Sequence, residues 1–162
     1  MGCGKSTVGK RLAKKLNLSF IDLDIFIENR FHKTISQLFA EKGEETFRIM
    51  EHNVLQEVCA FENVVIATGG GAACFHNNMA LMNQSGTTVY LQASVAILTG
   101  RLNRNKAERP LLSQKNDEEL HQFITETLAK REPFYLQAQV IVDNIRIHDF
   151  SVVNELAERF RC

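Results

Sequence analysis

Apolar residues along this chain follow two patterns in turn, short apolar runs and segments with apolar residues at helical spacing. Short apolar runs predict β-strands, and they fall at residues 19–23, 64–68, 87–91 and 140–143. Segments with apolar side chains at helical spacing predict α-helices, and they fall at residues 6–16, 34–42, 45–61, 94–102, 117–130 and 150–160. Strands that alternate with helices form parallel βαβ units, so we expect an α/β fold with helices on both faces of a parallel sheet.

One segment breaks this alternation. Residues 103–115 are polar, basic and without periodicity, and a loop of this length is usually functional. We therefore expect a lid over a pocket, at about residues 103–116. The length of 162 residues suits one domain of ordinary size, and we expect residues 1–162 to form a single domain.

Composition narrows the classes of function. Lys plus Arg and Asp plus Glu both number 19, so no net charge attracts nucleic acid or an anionic membrane. No apolar run approaches the ~18 residues of a membrane span, and the N-terminus lacks the apolar core of a secretory signal. The four cysteines are scattered without metal-ligand spacing, which favours reduced thiols and a cytoplasmic protein. No heptad pattern is present, so we expect a monomer.

The best candidate for an anion site lies at the N-terminus. Residues 2–7, GCGKST, match the end of a phosphate-binding loop of the form GxxxxGK[ST]. Glycines let backbone N–H groups turn towards a nucleotide's β-phosphate, and the helix that follows presents its positive end to the same anion. Lys5 would neutralise the β- and γ-phosphates, and the Ser6 hydroxyl would bind Mg²⁺. An ordinary glycine-rich turn before a helix is the alternative.

Part of this loop is not in the sequence. Counted back five residues from Gly4, the first glycine of the motif would precede Met1 by two residues, and the apolar strand that leads into the loop would precede it too. In this class of fold that strand lies in the middle of the sheet, so its loss leaves two strand edges unpaired. We expect about ten further residues upstream, enough for a strand and the start of the loop. A truncated, poorly folding product is the alternative.

Two carboxylates end the first predicted strand. Asp22 and Asp24 alternate along it and would lie on one side of the strand end, where open α/β sheets build their sites. One would lie near Mg²⁺, and the other would accept a hydrogen bond from a substrate hydroxyl. An exposed turn that caps the next helix explains the same residues.

Arginines and glycines supply the remaining candidates. Arg48 would clamp a substrate carboxylate through its bidentate fork, although a solvated arginine on a helix surface is the alternative. The glycines at residues 69–71 follow a β-branched strand, which fits a ligand pressed against bare N–H groups, or else a flexible turn. Arg109, in the predicted lid, would reach the transferring phosphoryl group, although loop arginines are usually solvated. Arg131, taken alone, would be a cation at the C-terminal end of a helix, where it interacts favourably with the helix dipole.

The order and spacing of these motifs resemble the shikimate kinase family along nearly the whole chain, from Gly2 to about Val142. GKST is followed by FIDLD, FRIME, TGGG, RPLL and KREPFY. The resemblance implies the P-loop fold of nucleoside monophosphate kinases, with a five-stranded parallel sheet in the order 2-3-1-4-5 whose central first strand is missing here. It also implies phosphoryl transfer from ATP to the 3-hydroxyl of shikimate, in the pathway to chorismate and aromatic amino acids, with Mg²⁺ as cofactor.

The resemblance assigns roles to individual residues. Lys5, Asp24 and Arg109 would be catalytic, with Asp24 binding the shikimate hydroxyls and Arg109 bridging the phosphates. Ser6 and Asp22 would bind Mg²⁺. The implied substrate-binding set is Asp24, Arg48, Gly69, Gly70, Gly71 and Arg131, of which Arg48 and Arg131 hold the carboxylate. The implied ATP-binding set is Gly2, Cys3, Gly4, Lys5, Ser6, Thr7, Arg101, Arg104 and Arg109.

The adenine contacts depart from the family's pattern. In the family a lid-proximal arginine and a residue of a late loop, often proline, hold the adenine. Arg101 or Arg104 would be the arginine, and the choice between them is open. No proline follows Pro133, so one of the three residues 148–150, His148, Asp149 and Phe150, would take the second role.

Two other functions fit parts of the pattern. One is a different small-molecule P-loop kinase, such as one for gluconate. Such a kinase needs no pair of arginines for a ring carboxylate beside two aspartates, so Arg48 and Arg131 argue against it. A non-catalytic nucleotide-binding protein, or an inactive fragment, is the alternative that the incomplete phosphate-binding loop favours.

Overall fold

The computed structural model describes residues 2–104, 116–143 and 151–161. Helices and strands alternate through these segments, as the apolar pattern predicts. The strands within them are β1 (Ser19–Asp22), β2 (Val64–Ala67), β3 (Val89–Gln92) and β4 (Val140–Asp143). The helices are α1 (Lys5–Leu16), α2 (Leu23–Phe31), α3 (Ile35–Val58), α4 (Asn78–Ser85), α5 (Val95–Arg104), α6 (Asp117–Tyr135) and α7 (Ser151–Arg159), with a 3₁₀ turn at Ala72–Cys74.

The strands form two separate parallel pairs. β1 pairs with β2 from Ser19 opposite Val64, and β3 pairs with β4 from Val89 opposite Val140. A cavity of about 1010 Å³ lies between the pairs, and residues of both β2 and β3 line it. The two pairs correspond to strands 2-3 and 4-5 of the expected sheet, and the cavity lies where its central strand would run. The predicted α/β fold with parallel strands is therefore confirmed.

Apolar side chains pack into separate clusters around these strands. One cluster joins α1 to β3, β4 and α7. A second joins α2 to α3 and includes Leu23, Ile27 and Phe47, each at most 1% exposed. A third packs Leu102 of α5 against Leu120 of α6. None of the described helices is long and apolar enough to cross a membrane.

Helix α1 links the two strand pairs. Its Val8 and Leu12 belong to the cluster with β3 and β4, whereas Gly9 faces β1, because a Cβ on this glycine would come within 2.7 Å of the Phe20 ring. Lys10 lies over the same ring, with its Nζ 5.8 Å from the ring centroid. The N-terminus of α1, with the phosphate-binding candidates, is therefore held by contacts with both pairs.

Helix α3 begins at a capping box and is broken once. The Thr34 side chain accepts a hydrogen bond from the backbone N–H of Gln37, and the Gln37 side chain accepts one from the N–H of Thr34. Gly43 leaves the helical conformation, with φ of 75° and ψ of 167°. The helices predicted at residues 34–42 and 45–61 are thus one element with a kink between them.

Several predicted boundaries are wrong. The first strand ends at Asp22, and α2 begins directly after it in a segment where no helix is predicted. Neither α4 nor the 3₁₀ turn is predicted either. α6 continues past residue 130 to Tyr135, although it contains Pro133. Residues 103 and 104, predicted as loop, belong to α5, and the rest of the predicted lid, residues 105–115, lies outside the described residues.

Candidate active site

The phosphate-binding candidates form a glycine turn that leads into α1. Gly2 and Gly4 have positive φ angles of 69° and 84°, a conformation that glycine adopts without steric cost. A Cβ on Gly2 would also meet Leu102 at 3.1 Å. Lys5 is the first residue of α1, and the first turn carries no acidic side chain. The N–H groups and the positive end of the helix dipole are therefore available to an anion.

The two predicted metal ligands contact each other. The Ser6 hydroxyl donates a hydrogen bond to Oδ2 of Asp22 at a distance of 2.6 Å. Asp22 ends β1 and occupies the N-cap position of α2. The part of the chain that the structure describes has no group of three or more His, Cys, Asp or Glu residues able to hold a metal. Mg²⁺ in a nucleotide site needs only one or two protein oxygens, because phosphates and water supply the others.

Asp24 lies close to the same groups, but on a helix. The prediction that both aspartates alternate along one strand is wrong, since Asp24 belongs to the first turn of α2. The half-buried position raises the pKa of Asp24 above its ordinary value of 3.8, and the negative charge of Asp22 raises it further. The positive charges of Lys5 and Arg48 act in the opposite direction. Asp24 is thus within electrostatic reach of both the phosphate-binding turn and Arg48.

Arg48 is buried, so the alternative of a solvated surface arginine is wrong. Its side chain donates hydrogen bonds to Glu51 at 2.7 Å and to Glu44 at 3.2 Å, and its guanidinium carbon lies 4.4 Å from the centroid of the Phe75 ring. The Nε atom is buried with no acceptor among the residues that the structure describes. A guanidinium with a free donor inside a pocket suits a substrate carboxylate.

Glu51 is a site residue that the motif analysis misses. It is 2% exposed, and burial raises its pKa, while the hydrogen bond and the charge of Arg48 lower it. The signal was present as Arg-x-x-Glu in FRIME, because residues three apart on a helix are neighbours. Such a pair is usually exposed, and only the packed structure reveals that it fixes the direction of the guanidinium.

The glycine loop, residues 69–71, lies between Asp24 and Arg48. A Cβ on Gly69 would come within 2.7 Å of Oδ1 of Asp24, and a Cβ on Gly71 would come within 2.6 Å of Nη2 of Arg48. Both positions therefore need glycine for close approach. Within the described part of the chain, no hydrogen bond takes up the backbone N–H of Gly70 or Gly71. These two N–H groups therefore remain able to bind a ligand, and their contact with substrate stays a prediction.

Helix α6 closes another side of this pocket. The Tyr135 hydroxyl donates a hydrogen bond to the carbonyl oxygen of Gly70. Arg131 lies one helical turn earlier, hydrogen bonds Tyr135, and lowers the pKa values of Tyr135 and Glu51 through its positive charge. Burial outweighs these effects and raises the pKa of Tyr135. The charges of Lys5 and Arg48 act on Asp24, and those of Arg48 and Arg131 act on Glu51, so the structure brings these side chains within electrostatic reach of one another.

For the remaining predicted site residues, the structure gives few contacts. The Cys3 thiol accepts a contact from Lys5 Nζ at 3.8 Å, and Thr7 is exposed in the first turn of α1. Arg101 is half-buried on α5. Arg104 ends the same helix, and Arg109 lies outside the described residues, as do residues 148–150 with the adenine candidates.

A glycine turn that enters a helix beside the carboxyl ends of parallel strands, close to paired carboxylates and a buried arginine, defines a P-loop phosphotransferase acting on a small molecule. The shikimate kinase family profile matches residues 1–161. The shikimate kinase of Parabacteroides distasonis is 54% identical over 157 residues, which are 97% of this chain and 91% of that protein. This chain therefore belongs to the shikimate kinase family.

Solved structures agree with this assignment. The crystal structure of shikimate kinase from Bacteroides thetaiotaomicron is 51% identical, with a TM-score of 0.92 over 98% of this chain and 90% of that one. Shikimate kinase from Acinetobacter baumannii, solved in complex with shikimate, is 33% identical, with a TM-score of 0.87 over 98% and 87% of the two chains.

Proposed function

We propose that this chain is a shikimate kinase, which transfers the γ-phosphoryl group of ATP to the 3-hydroxyl of shikimate on the route to chorismate and aromatic amino acids. The observation that carries the proposal is the close contact of Asp24 and Arg48 with opposite ends of the glycine loop. The Cα atoms of Gly69 and Gly71 are at most about 7 Å apart, since neighbouring Cα atoms are 3.8 Å apart. Asp24 would accept a hydrogen bond from a substrate hydroxyl, and Arg48 would donate one to a substrate carboxylate. Their placement at the two ends of so short a loop suits a small ring that carries both groups.

The arginines would bind the substrate carboxylate. Arg48 has a buried Nε with no acceptor in the described part of the chain, and its contact with Glu44 involves a side chain that is 62% exposed. An incoming carboxylate would take Nε and displace Glu44 at little cost, because exposed ion pairs are weak. Glu51 would stay in place and keep the guanidinium oriented, and Arg131 would supply a second positive charge.

ATP would bind with its phosphates on the turn at residues 2–7. The backbone N–H groups and Lys5 would hold the β- and γ-phosphates, and we assign further phosphate or adenine contacts to Arg101, Arg104 and Arg109. Ser6 and Asp22 are oxygen ligands already in contact, so they fit Mg²⁺. When bound there, the metal would neutralise charge on the phosphates.

Asp24 would orient the attacking hydroxyl. Its carboxylate would accept a hydrogen bond from the 3-hydroxyl and take up the proton late in the reaction. The raised pKa makes this carboxylate a better proton acceptor than an exposed aspartate. Lys5 would meet the charge that develops on the transferring phosphoryl group, so that position and charge account for the rate.

An ADP-release assay with shikimate as acceptor tests the proposal. Asp24→Asn and Lys5→Met should lower kcat by orders of magnitude, because each removes a charge beside the reacting groups. Lys14→Met, which changes an exposed lysine in the last turn of α1, is the matched control and should leave kcat unchanged. Full activity of both site variants, or no shikimate-dependent ADP release by the unaltered chain, would contradict the proposal.

We also expect the enzyme to act as a cytoplasmic monomer without nucleic-acid or membrane partners. Its formal net charge is zero, so no overall attraction draws it to either polyanionic surface. Light scattering after size-exclusion chromatography would measure the mass directly, and a value of twice 18.4 kDa would contradict the monomer.

A further inference from the structure

Asn78 is a fully buried polar residue that the mechanism does not use. It is 0% exposed and begins α4. Its Nδ2 donates a hydrogen bond to the carbonyl oxygen of Ala72 at 2.7 Å, and its Oδ1 lies 2.5 Å from Nδ1 of His52. Since Oδ1 accepts only, the Nδ1 of His52 carries the proton in this pair. Asn78 therefore ties α3 to the residue that directly follows the glycine loop.

The carbonyl groups of residues 69–72 are all engaged in hydrogen bonds. Those of Gly69 and Gly71 each accept from the backbone N–H group three residues further on, that of Gly70 accepts from Tyr135, and that of Ala72 accepts from Asn78. A peptide unit is planar and its N–H points away from its C=O. Each bond therefore fixes the direction of the following N–H group. The bonds to the carbonyls of Gly69 and Gly70 thus aim the N–H groups of Gly70 and Gly71, and the bond from Asn78 pins the end of the loop at Ala72.

Asn78 also holds the turn that carries Phe75. His76 and Asn77 have consecutive positive φ angles of 48° and 58°, and the N–H of Asn78 donates to the carbonyl of Phe75 at 2.9 Å. This is the pattern of a type I′ turn, and a positive φ is unfavourable for histidine. A turn of this kind persists only when its surroundings hold it. The side-chain bonds of Asn78 do so, and the turn positions the Phe75 ring 4.4 Å from the guanidinium carbon of Arg48.

We propose that Asn78, oriented by His52, is a positioning residue for the substrate pocket. It pins the end of the glycine loop at Ala72 and holds the Phe75 ring against Arg48, without touching substrate itself. This inference rests on the proposed function for its kinetic test. It predicts that losing Asn78 loosens the carboxylate end of the pocket and leaves the phosphate-binding turn, on the other side of Asp24, unchanged.

The test compares Asn78→Leu with Asn83→Leu. Asn83 is a matched control on the same helix, because it also bridges two elements, donating to the carbonyl of Gln137 at 3.0 Å and accepting from Thr88. Asn78→Leu should raise the KM for shikimate about tenfold, equivalent to ~1.4 kcal/mol, with the KM for ATP unchanged. Asn83→Leu should lower Tm and change neither KM. Equal rises in both KM values, or a fall in Tm alone, would overturn the proposal.

A second pair of variants keeps the test decisive if Asn78→Leu does not fold. His52→Leu removes the donor that orients Asn78 and should raise the KM for shikimate about threefold. This rise corresponds to only part of the free energy of a hydrogen bond. His52→Gln retains an N–H donor and should restore the KM. No difference between the two His52 variants would overturn the role of this pair.

An observation without substrate separates this inference from the proposed function. The ¹H–¹⁵N resonances of Gly70 and Gly71 should shift in Asn78→Leu and stay in place in Asn83→Leu. If they stay in place in both, the positioning role is wrong, even for an active enzyme. If they shift but the unaltered chain releases no ADP with shikimate, the positioning role stands and the proposed function fails.

Discussion

Gly71→Ala is expected to weaken shikimate binding while the protein remains folded. Gly71 has φ of −88° and ψ of −25°, which alanine adopts readily. The new Cβ would nevertheless lie 2.6 Å from Nη2, 2.8 Å from Nη1 and 2.9 Å from Cζ of Arg48. These distances are shorter than any normal carbon contact, so either the guanidinium or the glycine loop must move.

The guanidinium has little room to yield. It is bonded to buried Glu51 at 2.7 Å, it lies against the Phe75 ring, and Arg48 as a whole is 7% exposed. A displacement therefore misdirects the donors that face the substrate carboxylate. Losing one hydrogen bond to a charged group costs about 1.5–3 kcal/mol, which corresponds to a rise of about 10- to 150-fold in the KM for shikimate.

Steady-state ADP release, with each substrate varied in turn, measures this effect. The KM for ATP should stay within about twofold. Gly86→Ala is the matched control, because Gly86 has extended backbone and a Cβ there would meet nothing within 4 Å. If Gly71→Ala leaves both the KM for shikimate and Tm unchanged, Arg48 does not bind the substrate carboxylate, and the reasoning from the close contact is refuted.

Three further predictions follow from the same structure. Because burial raises the pKa of Asp24, its protonation favours the folded state below the unfolded pKa, and that contribution is lost as pH rises through the folded pKa. In thermal melts, the Tm of Asp24→Asn relative to that of the unaltered chain should therefore increase as pH rises. A difference in Tm that does not change with pH would contradict the raised pKa of Asp24. Gly100→Ala, in the interior of α5 where a Cβ meets nothing within 4 Å, should stabilise the protein by about 0.5–1 kcal/mol; a lower Tm would contradict this. A β-branched strand fused ahead of Gly2 should fill the cavity between β2 and β3 and raise Tm by about 2–4 °C per kcal/mol gained, whereas a scrambled polar fusion should not.

Local chemistry in the site could be predicted because each motif carries its own physical reason. GKST before an amphipathic segment predicts a helix at residues 6–16, and α1 begins one residue earlier, at Lys5. Three glycines after an apolar strand predict a ligand pressed against bare N–H groups; the structure shows that side chains, Asp24 and Arg48, lie against Gly69 and Gly71, and the ligand contact stays a prediction. These interpretations need only residue type and short spacing.

Features set by distant contacts could not be predicted. Asp24 follows an apolar run that reads as a strand, and its place on α2 depends on the burial of Leu23 and Ile27 against α3. Burial of Asn78 depends on His52, 26 residues earlier in the chain. A local pattern does not encode such pairs, so a buried asparagine with two partners looks like any loop asparagine in the sequence.

The separation of the two strand pairs suggests a role in the reaction for Gly9 of α1, a residue outside the pocket. Asp24 and Arg48 belong to the half built on β1 and β2, whereas α1 packs its apolar face on the cluster of β3 and β4. The distance between the phosphate turn and Asp24 therefore depends on how closely α1 approaches β1. Ser6 bonds Asp22 there at 2.6 Å, and Gly9 leaves no space for a Cβ beside Phe20. Since reacting atoms must come within about 3–3.5 Å, we expect Gly9 to contribute to catalysis by allowing that approach.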